Sequence, residues 1–157
     1  MTRDNNKREK YKLGYTTGVF DLFHIGHLKL LKRAKNKCEK LIVGVTIDEL
    51  VSYKHKEPVI SFADRAEIVK SIEYVDNVVP QVSMDKMAAW EKLGFDVMFV
   101  GDDWKGTAKW KIIEKDFKII GVDIVYFPYT EGTSSTLINN ILINRRNRKS
   151  NEKENND

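Results

Sequence analysis

Between residues 13 and 143 the chain alternates short apolar runs with amphipathic stretches. Runs of strand length occur at 13–20 (LGYTTGVF), 40–46 (KLIVGVT), 75–80 (VDNVVP), 96–101 (DVMFVG) and 122–127 (VDIVYF). The second is almost continuously apolar, as in a strand covered on both faces. In the intervening segments apolar residues return every three or four positions, the spacing of one helix face. Leu28, Leu31 and Ala34 mark the first such helix. A second spans 61–74, with Ser61 and Asp64 spaced as a capping box and Ala66, Ile68, Val69 and Ile72 as apolar contacts. Further helices are expected around 84–93, over WKIIEKDFKII at 110–120, and from Ser134 or Ser135 onward.

Strands separated by helical crossovers predict an α/β fold: a Rossmann-like, doubly wound parallel sheet of five strands with helices on both faces. Such sheets bind ligands beyond the C-terminal strand ends, where strand order reverses and helix N-termini offer N–H groups to anions. Three unusual segments fall at strand ends: FDLFHIGH after the first, GDDWKG after the fourth and TEGTSST after the fifth. If the first and fourth strands are neighbours, all three meet at one edge, which predicts a phosphate-bearing ligand.

Composition refines this picture in three places. A length of 157 residues fits one domain, read here as 13–143 between a basic disordered tail at 1–12 and a second disordered tail at 144–157. The net charge of +4 sits in those ends: 1–12 hold five Lys/Arg against two acids, and 144–157 hold five against three. The body is therefore near neutral, which argues against a nucleic-acid-binding domain. No apolar run is long enough for a membrane span, and a single cysteine, Cys38, forms no internal disulfide, so a cytoplasmic setting is expected. Cys38 falls between helix and strand, a setting that suits a buried, inert thiol better than a nucleophile.

The candidate chemistry centres on FDLFHIGH, because two of the three histidines, His24 and His27, stand in that window. A strand-to-helix turn with Gly26 between the rings lets both face one cleft. Metal binding lacks an evident third ligand, since His55 sits in a polar loop. Nucleophilic catalysis needs an activating carboxylate, and Asp21 is near enough to be considered. A third possibility is two imidazoles donating hydrogen bonds to phosphate oxygens, the demand of phosphoryl or nucleotidyl transfer. Lys54 and Lys56, alternating in a loop, are candidate cations for a polyphosphate. The hydroxyls of TEGTSST exceed what one helix cap uses. Asp102 and Asp103, with Trp104 beside them, are candidates for metal, ribose or substrate contacts, and Arg65 is a further candidate cation.

Taken together, HIGH and EGTSST resemble the HxGH nucleotidyltransferase superfamily. GVFDLFHIGHLKLLKRAK, LIVGVTIDEL, YVDNVVP, GDDWKG and TEGTSST resemble, within it, the cytidylyltransferases that act on phospho-alcohols. The likeness runs from about Tyr15 to Ile141 and is nearest to members acting on glycerol 3-phosphate. It implies in-line attack of the acceptor's phosphate on the α-phosphorus of CTP, giving a CDP-alcohol and pyrophosphate, with Mg²⁺ arriving on CTP and no residue of the chain holding a metal by itself. Carried over by motif, His24, His27, Lys54 and Lys56 are the catalytic set. Gly18, Val19, Phe20, Asp21, His27, Asp103, Thr130, Gly132, Ser134, Ser135 and Thr136 bind the nucleotide. Arg65, Lys86, Asp102 and Trp104 bind the acceptor. The resemblance also implies a homodimer, with CTP and a small phospho-alcohol as ligands, no nucleic-acid partner and no stable membrane insertion. Choline- or ethanolamine-phosphate cytidylyltransfer, adenylyl transfer and a non-catalytic binding role are the alternatives. Two positions depart from the family pattern: Tyr129 and Glu73 stand where arginines are usual.

Overall fold

In the computed structural model, residues 9–52, 57–128 and 134–154 are described. Lys54, His55, Lys56, Tyr129, Thr130 and Gly132 therefore lie outside the described residues. Five parallel strands form one sheet in the order β3-β2-β1-β4-β5: β1 (Tyr11–Gly18), β2 (Cys38–Thr46), β3 (Asn77–Gln81), β4 (Val97–Gly101) and β5 (Asp123–Phe127). β1 pairs with β2 along seven positions, from Tyr11 opposite Cys38 to Gly18 opposite Val45, and with β4 at Gly14 and Tyr15. The first and fourth strands are thus neighbours, and the order reverses between them.

Period-two alternation in the strands divides the core into two layers. Val43, Val45, Val97 and Phe99 pack with Leu31 of α1 (Ile25–Lys37) and Val69. Met98, Val100, Tyr15 and Phe95 pack with Trp110 and Phe117 on the opposite face. Val69 belongs to α3 (Phe62–Lys70), which follows the five-residue α2 (Asp48–Ser52). The second layer lies under α5 (Ala108–Ile119), and α4 (Lys86–Leu93) precedes it along the chain. Cys38 opens β2 fully buried, donating its S–H to the Ala34 carbonyl, and burial pushes its thiol up to about 11. That is an inert setting.

Some local expectations are corrected. Ser61 makes no side-chain bond at the start of α3; Asp48 Oδ2 accepts from the Phe62 N–H instead, at 3.3 Å. Ile68 is 38% exposed and the helix ends at Lys70, so α3 packs through Ala66 and Val69, with Ile72 contributing from the turn after it. The chain enters the sheet at Tyr11, inside the stretch assigned to the N-terminal tail. At the other end α6 runs Ser135–Glu154, so residues 144–154 are helical where an irregular tail was expected. The stretch contains no Gly or Pro, and its Arg, Lys and Glu residues propagate a helix well once the turn at Ser135 has nucleated it. Among the described residues, no helix is long and apolar enough to cross a membrane.

Candidate active site

The β1–α1 turn carries the strain expected of a functional loop. Phe20 and Leu22 are non-glycine residues with positive φ, 54° and 49°. Asp21, between them, does not reach into a cleft: its carboxylate accepts the backbone N–H groups of Leu22, Val59 and Ile60 at 2.8 to 3.1 Å. It holds the segment after the lysine-bearing loop against the histidine turn, so nucleophile activation by this carboxylate is not what the geometry offers. The Phe20 side chain is 3% exposed and packs in the core, which leaves its backbone as the part assigned to the nucleotide.

The two histidines cap α1 reciprocally. His24 Nδ1 accepts the Gly26 N–H at 3.0 Å, and His27 Nδ1 accepts the His24 N–H at 3.2 Å. Each neutral ring then carries its proton on Nε2, which leaves two N–H donors on the ring edges turned away from the backbone. The rings stack with centroids 3.9 Å apart. Burial, with the neighbouring His24 adding to it and Asp21 opposing, lowers His27 to about 4; burial also lowers His24. Near neutral pH the pair is therefore a set of uncharged donors at a helix N-terminus, suited to stabilising charge that develops on a phosphate.

His24, His27, Ser134 and Ser135 line one cleft, with Gly26, Leu30, Arg33, Gly101, Phe127 and Pro128. The Ser135 hydroxyl donates to the Asp21 carbonyl, which ties the start of α6 to the β1–α1 turn. Ser134 caps that helix, its Oγ accepting from Leu137 N at 3.0 Å. Thr136 is exposed on the first turn. Leu30 and Gly101 also belong to a second cleft, which contains Thr16, Gly18, Val19, Thr46, Gln81, Lys86, Trp104, Lys109 and Trp110. Lys86 is 8% exposed, with Nζ 6.0 Å from the Trp110 ring centroid. Thr46 donates to Gln81 Oε1 at 2.7 Å, which turns the amide nitrogen of Gln81 toward Met84. Asp102 and Asp103 are exposed in a short 3₁₀ turn and line neither cleft.

Arg65 is placed differently from a substrate ligand. Its side chain is fully buried and donates to the carbonyls of Ile60, Val19 and Thr46 and to Asp48 Oδ1, at 2.6 to 2.8 Å. It clamps the β1–α1 turn, the end of β2 and the segment before α3 together. Asp48, which the sequence reading did not single out, orients this guanidinium and is held below the usual carboxylate range by that hydrogen bond. The available signal was an acid two residues past the β2 end. Among the described residues no group of three His, Cys, Asp or Glu side chains is arranged to hold a metal.

A parallel α/β sheet with a histidine-capped turn at its reversal point and a serine-bearing helix start across the cleft is an HxGH-type nucleotidyltransferase fold. The chain belongs to the cytidylyltransferase-like family, which matches residues 15–141. It is 40% identical over 124 residues to the glycerol-3-phosphate cytidylyltransferase of Bacillus spizizenii, covering 78% of this chain and 91% of that protein. It is also 35% identical over 131 residues to the FAD synthase of Pyrococcus abyssi, covering 79% and 83%. Among solved structures, the lipopolysaccharide core biosynthesis protein of Thermoplasma volcanium superposes with a TM-score of 0.66 at 22% identity. It covers 78% of this chain and 99% of that one, a likeness of fold.

Proposed function

We propose that the protein transfers CMP from CTP to glycerol 3-phosphate, giving CDP-glycerol and pyrophosphate. The observation that carries this reading is the pairing of the two clefts, which meet at Leu30 and Gly101. One holds uncharged histidine donors and the serines at the start of α6. The other buries a single lysine beside hydroxyl and amide groups. In the reaction, the phosphate of the acceptor attacks the α-phosphorus of CTP, the P–O bond to the β-phosphate breaks, and pyrophosphate leaves. His24 and His27 donate Nε2–H bonds to the α-phosphate oxygens as negative charge builds there. Lys86 neutralises the acceptor's phosphate, with Trp104 on the wall of its cleft. Lys86 together with Lys109 disfavours a cationic ammonium group beside it, quaternary in choline phosphate and primary in ethanolamine phosphate, which favours a neutral polyol over both. Thr46 and Gln81 supply polar partners for alcohol hydroxyls.

Mg²⁺ carried on CTP would offset triphosphate charge, a cation that is generally held by substrate phosphates and water rather than by a protein cage. Lys54, Lys56, Thr130 and Gly132 are assigned to the triphosphate by motif, and Asp103 to the nucleotide. The experiment is a pyrophosphate-release screen pairing CTP or ATP with glycerol 3-phosphate, choline phosphate and ethanolamine phosphate. Release that requires both CTP and glycerol 3-phosphate is expected. Equal turnover with ATP overturns the base assignment, and preference for choline phosphate overturns the acceptor.

A further inference from the structure

Among the described residues that line the histidine cleft, Arg33 is the one lysine or arginine, and the proposed transfer gives it no part. His27, Leu30 and Arg33 follow one another at three-residue spacing along α1, and all three line the cleft opposite Phe127, Pro128, Ser134 and Ser135. Six residues of helix separate His27 from Arg33, so the cleft extends about 9 Å along α1 from the histidines. A nucleoside triphosphate has its β- and γ-phosphates beyond the α-phosphate, and these carry most of its charge. The histidines do not balance that charge, since burial keeps His27 neutral well below pH 7, and Lys54 and Lys56, assigned to the triphosphate by motif, act as point charges rather than bidentate donors. The segment 129–133, Tyr-Thr-Glu-Gly-Thr, has no cationic side chain to contribute. Arg33 is exposed, and neither ion pair among the described residues involves it.

We propose that Arg33 binds the pyrophosphate moiety of the nucleotide, holding the β- and γ-phosphates before transfer and the departing pyrophosphate after it. A guanidinium suits this place because its planar fork grips two phosphate oxygens at once, whereas an ammonium acts as a point charge. The inference rests on the proposed transfer for its place in the reaction, but not for the binding itself. Arg33 projects from the exposed side of α1, whose buried contacts are Leu31 and Ala34, so its replacement leaves the core intact.

The test measures binding of inorganic pyrophosphate by calorimetry to the full chain and to the R33A, R33K and K32A variants. Lys32 is an exposed cation one residue away that does not line the cleft, which makes K32A the control for general charge loss. R33A is expected to weaken pyrophosphate binding about tenfold, with partial recovery in R33K and no change in K32A. In turnover, the KM for CTP should rise in R33A while that for the acceptor stays put. Wild-type pyrophosphate affinity in R33A, an equal loss in K32A, or a rise confined to the acceptor's KM overturns the proposal. Failure of the CTP and glycerol 3-phosphate screen with the pyrophosphate result intact would reject the proposed reaction and leave this site standing.

Discussion

Replacing Arg65 by methionine tests whether this buried cation is a clamp or a ligand. The side chain donates four hydrogen bonds, three to backbone carbonyls and one to Asp48. A hydrogen bond involving a charged group contributes roughly 1.5 to 3 kcal/mol, so four set a ceiling of roughly 6 to 12. The bonds share one side chain and are not additive, and the Asp48 side chain, 42% exposed, regains water when its partner is lost. The three carbonyls that lose their donor cost roughly 1 to 3 kcal/mol each, so a loss of about 4 kcal/mol is expected. For a chain of this size that lowers Tm by roughly 8 to 16 °C. Urea denaturation followed by tryptophan fluorescence reads it directly, and R65K with D48N and their double variant keeps the test alive if R65M does not fold. Coupling of at least about 1 kcal/mol between Arg65 and Asp48 is expected. A loss below about 1 kcal/mol in R65M with unchanged m, together with a raised KM for the acceptor, would refute the clamp and make Arg65 a substrate contact.

Two further outcomes follow from the same geometry. His27 is held down to about 4 in the folded protein against about 6.5 when unfolded. The unfolded chain thus binds the extra proton first, and stability falls as pH drops from about 6.5 towards 4, by on the order of 2 to 3 kcal/mol. Tm profiles of wild type and H27Q should converge across that window; parallel profiles would contradict the depressed value. Replacing Lys86 by methionine preserves bulk but removes the charge beside Trp110, so the KM for the phospho-alcohol should rise about tenfold with CTP little affected, read from initial rates. An unchanged acceptor KM would remove Lys86 from the acceptor cleft.

The sheet was legible because a doubly wound domain writes its strands as short apolar runs between helical crossovers, and all five occur where the pattern placed them. The adjacency of β1 and β4, on which the meeting of three chemistry-bearing segments was conditional, is present in the sheet. What pattern could not carry was the destination of polar groups. Arg65 and Asp48 are seventeen residues apart, and nothing local says that one guanidinium ties two strand ends and the segment before α3 together. Asp21 read as a cleft residue because it neighbours the histidines, yet its oxygens are taken by the backbone at Val59 and Ile60. Arg33 escaped notice for the opposite reason: an exposed arginine on a helix is unremarkable until the wall facing it is known. The short α2 was missed because five residues are too few to show a period. The helical continuation of α6 was missed because its composition, rich in Asn and charge, reads equally well as a solvated tail.

The account turns on two neutral imidazoles stabilising the α-phosphate during transfer, and single-turnover kinetics on histidine variants test that most directly. With enzyme in excess over CTP and glycerol 3-phosphate saturating, H24A or H27A should slow the chemical step by at least about a hundredfold, while the affinity for CTP changes far less. A folded H24A/H27A double variant that turns over at close to the wild-type rate would contradict it.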